Sequence, residues 1–296
     1  MLFKGRSCQL PIANCRLPIS LPQRMDTYQK LIEATAFLKP FSLNKPIIAV
    51  VLGSGLGNFT NELKVENEIS YSSIPHFPVA TVEGHSGKLI FGSIDGKSII
   101  AMAGRFHFYE GYSAEDVVFP IRVLKMLGIK TLLISNAAGG VNTQFKVGDL
   151  MIITDHISIA AKNPLIGKND DRIGPRFPDM SEPYKKELIV KAKKIAQEQS
   201  IKIKEGIYFG VTGPTFETRA EYKMIHSLGG DAVGMSTVQE VIAAVHAGMD
   251  VFAMSVITDI GIREEHNIIT HKEVLEAAQN AEPLFSIIFR ELIKSL

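Results

Sequence analysis

From residue 28 onward, short β-branched runs alternate with longer stretches whose apolar residues return every three or four positions. That alternation points to an α/β protein with a largely parallel or mixed sheet. The first strand is expected over residues 47–52, an unbroken apolar run that ends in a glycine-rich turn at 53–57. Residues 88–94 and 98–103 flank Asp95 and Gly96, a dipeptide that favours the tight primed turn of a hairpin, so this pair is antiparallel and the sheet is mixed. Further strands are expected at 131–135, 150–154, 206–211, 232–233 and 251–257, and helices at 114–127, 182–199, 219–228, 238–247 and 271–296. Within the second of these helices, Leu188, Ala192, Ile195 and Ala196 stand at i, i+4, i+7 and i+8, the spacing of a core-facing stripe. No repeat or linker divides residues 25–296, which read as one domain.

The first 24 residues differ in character. CQLPI at Cys8 is nearly repeated as CRLPI at Cys15, and the prolines oppose a helix. This stretch reads as a disordered or non-native tail, with the functional protein beginning near Met25, where the helical pattern of Tyr28, Leu31, Ile32, Thr35, Phe37 and Leu38 opens. Both cysteines fall in the tail, which leaves the body no thiol for a disulfide, a zinc site or a nucleophile. Lys4, Arg6, Gln9, Asn14 and Arg16 interrupt any signal-peptide apolar run, so a cytoplasmic location is expected. A formal net charge of +1 supplies no field for a nucleic-acid backbone, and no apolar run approaches the ~18 residues of a membrane-spanning helix. The chemistry to look for is that of a small ligand.

Two segments carry such chemistry. GSGLG at 53–57 follows a strand, where glycines let backbone N–H groups approach an anion and Ser54 adds a hydroxyl; a plain turn explains the same residues as well. It is not the dinucleotide fingerprint, which needs another glycine spacing. GRFHFYEGY at 104–112 places Arg105 and His107 two residues apart after a strand, so an extended backbone points both donors the same way. With His85 in EGHSG, the pair suggests an oxyanion site.

GSGLG, EGHSG, GRFHFYEGY, SNAAGG, GPTFET and VGMST occur here in that order. Together they resemble the trimeric purine nucleoside phosphorylase family, which also includes the methylthioadenosine phosphorylases, from about Met25 to the end. The resemblance implies a single-domain α/β fold with a distorted mixed sheet, a homotrimer, and no metal or cofactor, inorganic phosphate being a co-substrate. It implies that Ser54, His85, Arg105, His107, Ala137 and Ser236 surround phosphate. Tyr109, Val233 and Met235 match the ribose and base walls, although a core would contain the same two apolar residues. Phe216 would stack on the purine and Glu217 would accept from its N1–H. Asp259 would face N7, and His271 would reach the ribose 5′-hydroxyl, unless it only opens a helix. Phe177 matches the aromatic that a trimer sends into its neighbour's pocket.

The implied reaction attacks the anomeric carbon with phosphate through an oxocarbenium-like transition state, so no side chain needs to form a covalent bond. His107, Glu217, Asp259 and His271 are the residues expected to act in catalysis, and inosine and guanosine the preferred substrates. Asp259 departs from the asparagine usual in 6-oxopurine enzymes. That departure keeps a methylthioadenosine or adenosine phosphorylase as the alternative, ahead of a purine-binding protein without activity.

Overall fold

The computed structural model describes residues 25–79, 86–262 and 269–296. The tail expected at 1–24 and His85 lie outside them. Among the described residues, nine strands form one mixed sheet: β1 (Ile48–Leu52), β2 (Lys64–Ser70), β3 (Lys88–Ile94), β4 (Lys97–Ala103), β5 (Thr131–Gly140), β6 (Leu150–Ile157), β7 (Ile203–Gly210), β8 (Ala232–Gly234) and β9 (Asp250–Ile260). Six α-helices accompany them: α1 (Thr27–Leu38), α2 (Ala114–Met126), α3 (Lys186–Glu198), α4 (Arg219–Ser227), α5 (Val238–His246) and α6 (His271–Lys294).

The sheet runs β2-β3-β4-β1-β5-β8-β7-β6-β9, and β9 also pairs with β5. Strands β5, β8, β7, β6 and β9 therefore close on themselves while β1 to β4 extend as an open wing. The wing begins with the expected hairpin: Asp95 and Gly96 both have positive φ, 46° and 81°, as the primed turn requires. Strand β1 alternates between two cores. Ala49 and Val51 join α1, α2 and α5 on one face, while Ile48, Val50 and Leu52 join α3 and α6 on the other. Burial on both faces explains why this strand is an unbroken apolar run.

Three departures from the sequence reading have physical causes. Strand β2, KVENEIS, has too few apolar residues to signal a strand; it is an exposed edge strand whose charged residues suit an edge. Helix α3 begins at Lys186 and not at 182: Pro183 biases Glu182 toward extended backbone, Tyr184 turns into the core where its hydroxyl lies 3.0 Å from His156 Nδ1, and the chain is still extended at the N-cap Lys185. Strands β5 and β9 run on to Gly140 and Ile260, well past their apolar cores.

That last extension creates the site. Strand β5 pairs with β1 from Thr131 to Ile134, then leaves it and at Gly139 and Gly140 pairs antiparallel with β8. A crevice opens where β5 changes partner, beside the carboxyl ends of the parallel strands β1 and β4. In open α/β sheets such a switch point is where ligands bind.

Candidate active site

The turn after β1 shows why a glycine stands at its first position. A Cβ on Gly53 would lie 2.7 Å from Asn136 Cα and 2.8 Å from the Ser135 carbonyl, so β5 passes too close for any side chain. The glycine is thus explained by backbone packing, and Ser54 is left to line the cavity.

After β4, Arg105 turns inward and is only 1% exposed. A charge so buried needs partners. Its Nε donates to Glu240 Oε1 at 3.1 Å, and Nη2 lies 3.0 Å from Oε2. Nη1 donates to the Ser135 carbonyl at 2.7 Å and to Ser236 Oγ at 3.2 Å. Glu240 Oε2 also accepts from the backbone N–H of Thr237 at 3.1 Å, and Thr237 Oγ1 accepts from Asn136 Nδ2 at 2.9 Å. Thr237 has φ of 71°, a strained value for a β-branched residue, so this network holds the turn between β8 and α5 in place. His107 is fixed in a similar way. Glu110 Oε1 lies 3.0 Å from its Nδ1 and accepts from its backbone N–H at 2.8 Å, while the ring stacks on Tyr109 at 4.7 Å. Burial pushes the Tyr109 phenol up to about 12, so it enters neutral chemistry as a hydrogen-bonding hydroxyl.

Ser54, Arg105, His107 and Ser236 line one cavity of about 340 Å³ together with Tyr109, Ala137, Val233 and Met235. Phe216, Glu217, Asp259 and His271 line the same cavity. Asp259 is buried near the end of β9, where Thr258 Oγ1 donates to its Oδ1 at 3.1 Å. Burial raises the Glu217 carboxyl above the ordinary glutamate value, and the charge of Asp259 adds to this; a Tyr222 hydrogen bond opposes it. His271 opens α6, whose start is capped by Thr270 and Glu273.

Twelve of the fourteen residues singled out from the sequence thus meet in one cavity. Of the other two, His85 is outside the described residues, and Phe177 stands apart on the surface with 86% exposure. Sequence reasoning missed Glu240, Glu110, Asn136, Thr258 and Tyr222. Two of these carry a legible signal: Glu240 completes Thr-x-x-Glu from Thr237, a capping-box spacing, and Glu110 follows His107 by the same three residues. Asn136 lies inside SNAAGG, where only its neighbour Ala137 was singled out.

Residues 47–294 match the family model described as the phosphorylase superfamily. Purine nucleoside phosphorylase 1 of Bacillus subtilis is 48% identical over 264 residues, covering 89% of this chain and 97% of the relative. The purine nucleoside phosphorylase of Rattus norvegicus is 44% identical over 279 residues, covering 90% and 96%. Among solved structures, isoform 2 of the Schistosoma mansoni purine nucleoside phosphorylase, in complex with cytosine and ribose-1-phosphate, superimposes with a TM-score of 0.86 at 43% identity, covering 91% of this chain and 97% of that one. The purine nucleoside phosphorylase of the same organism in complex with adenosine gives 0.85 at 39% identity, covering 90% and 96%. With matches of this length and identity, the chain belongs to the phosphorylase superfamily and, within it, to the purine nucleoside phosphorylase family.

Proposed function

We propose that the protein is a purine nucleoside phosphorylase that cleaves 6-oxopurine nucleosides with inorganic phosphate, giving free base and ribose 1-phosphate or its deoxy counterpart. The observation that carries this reading is the meeting, in a single cavity, of the anion donors Ser54, Arg105, His107 and Ser236 with the half-buried carboxylate of Glu217 and the buried one of Asp259. In this mechanism a phosphate oxygen forms the bond to C1′, the bond from C1′ to N9 breaks, and its electron pair passes to the purine. The donors hold phosphate against the positive anomeric carbon, and Asp259, which takes up a proton from solvent as the bound purine and phosphate crowd it, delivers that proton to N7 as charge develops there. His271 holds the 5′-hydroxyl. No cofactor takes part.

Specificity rests on a contest between two carboxylates. In 6-oxopurines N1 carries a hydrogen that ionised Glu217 accepts, whereas in adenine N1 is a bare acceptor and would be left unpaired at about 1–3 kcal/mol. Asp259 pulls the other way if ionised, because it repels O6, but protonated it becomes a donor to N7. The test is kcat/KM for guanosine, inosine, adenosine and methylthioadenosine in wild-type and Asp259→Asn proteins. Both are expected to prefer inosine and guanosine, and a wild-type preference for adenosine or methylthioadenosine would establish the alternative reading.

The protein is proposed to act in the cytoplasm as a homotrimer; among the described residues no helix is long and apolar enough to cross a membrane. Phe177, Ile166 and Ile159 are 86%, 79% and 80% exposed, apolar surface that a neighbouring copy would cover. Phe177 then completes the neighbour's nucleoside pocket. Phe177→Ala is expected to raise the nucleoside KM roughly tenfold with the phosphate KM unchanged, an effect in the range of one truncated aromatic anchor. An active monomer in analytical ultracentrifugation would refute the assembly.

A further inference from the structure

The guanidinium of Arg105 has a two-pronged edge, and Glu240 already occupies it. Nε and Nη2 face the two oxygens of Glu240 at 3.1 and 3.0 Å, with the side chains 1% and 3% exposed. A planar fork of this kind serves one carboxylate or one phosphate along a given edge, not both. An anion in the cavity therefore meets Arg105 from the side of Nη1, which already points to Ser236 Oγ at 3.2 Å. It also meets a charge that a buried carboxylate has largely cancelled.

We propose that Glu240 is a positioning residue for the anion: it holds Arg105 edge-on to the cavity and offsets its charge, so that the sugar phosphate product can leave. This rests on the reading of the cavity as a phosphate site. Substrate phosphate and product share the same donors, so affinity added for one is added for the other. Uniform tightening of that kind lowers KM without raising kcat, and once release is slow it lowers kcat. A carboxylate behind the arginine is a direct means of limiting it.

The capping contact from Glu240 to Thr237 gives a purely structural alternative, and charge separates the two. In Glu240→Gln the buried arginine has lost its counter-charge, and phosphate supplies one. The expected result is a phosphate KM lowered by about threefold or more, a lower kcat, an unchanged nucleoside KM, and a larger rise in Tm on adding phosphate than the wild type shows. Arg105→Gln does the reverse, leaving a buried carboxylate beside the anion. Adding Glu240→Gln to Arg105→Gln is then expected to recover at least about tenfold of the phosphate KM, a sign of coupling that only direct charge interaction produces.

If Glu240 acts only through the fold, Glu240→Gln raises the phosphate and nucleoside KM values together, and the double variant is no better than Arg105→Gln. Either result overturns the proposal. Should Glu240→Gln alone fail to fold, the comparison of Arg105→Gln with the double variant decides, since removing both charges of a buried pair is tolerated better than removing one. Wild-type protein that phosphate neither protects nor turns over would instead overturn the phosphate site itself, and the role of Glu240 with it.

Discussion

Arg105→Ala is expected to lose both activity and stability. Activity falls because the anion loses a charge-assisted donor in a desolvated site, about 1.5–3 kcal/mol, or roughly ten- to hundredfold in kcat/KM for phosphate. Read from the sequence, Arg105 is a phosphate donor whose loss spares the fold. The buried ion pair changes that expectation. Without the guanidinium, Glu240 keeps a carboxylate at 3% exposure with its charge unpaired, and breaking such a pair costs about 3–5 kcal/mol. Steady-state kinetics with phosphate as the varied substrate and a denaturant titration check the two effects separately. A folded variant with wild-type phosphate KM and turnover would remove Arg105 from the site.

Glu217→Ser is expected to lower kcat/KM for inosine by roughly ten- to hundredfold and leave adenosine nearly unaffected, which narrows or reverses the preference. The pH dependence carries the same logic. The strong, charge-assisted bond from N1–H requires the ionised carboxylate, and burial raises the Glu217 pKa above that of an ordinary glutamate. As pH falls through that raised value, Glu217 takes up a proton and its bond to N1–H loses the assistance of the charge. The acid limb of kcat/KM for inosine should therefore stand above the usual glutamate range and disappear in Glu217→Ser. The sign for stability is the opposite. Because the folded pKa is raised, the folded protein holds this proton more tightly than the unfolded chain, and the contribution fades as pH rises through the folded value. An unchanged preference in Glu217→Ser would place purine recognition elsewhere.

How far these residues were legible from the chain depends on what kind of signal each leaves. Asp95 and Gly96 specify their hairpin through backbone conformation alone, and the unbroken run of β1 reports burial on both faces. Strand β2 leaves no such trace, because an edge strand needs neither an apolar face nor β-branched density. The extensions of β5 and β9 were invisible for a related reason. Asn136 to Gly139, Thr258 and Asp259 are small or polar residues chosen by the cavity that they line, not by sheet propensity. At the site, groups that face a ligand lie in recognisable motifs. Glu110 stands three residues from His107 within one motif, whereas Glu240 is 135 residues from Arg105: its spacing to Thr237 marks a helix start, and only the fold shows that it faces the arginine.

In the proposed mechanism phosphate, held by Arg105 and its neighbours, is the nucleophile that releases the purine. That role is tested most directly by incubating the protein with inosine, with and without inorganic phosphate, and measuring hypoxanthine and the sugar product. Hypoxanthine is expected to appear only with phosphate, in equal amount to ribose 1-phosphate, and added ribose 1-phosphate with hypoxanthine should re-form inosine. Release of hypoxanthine at the same rate without phosphate, accompanied by free ribose, would show that water and not phosphate is the nucleophile.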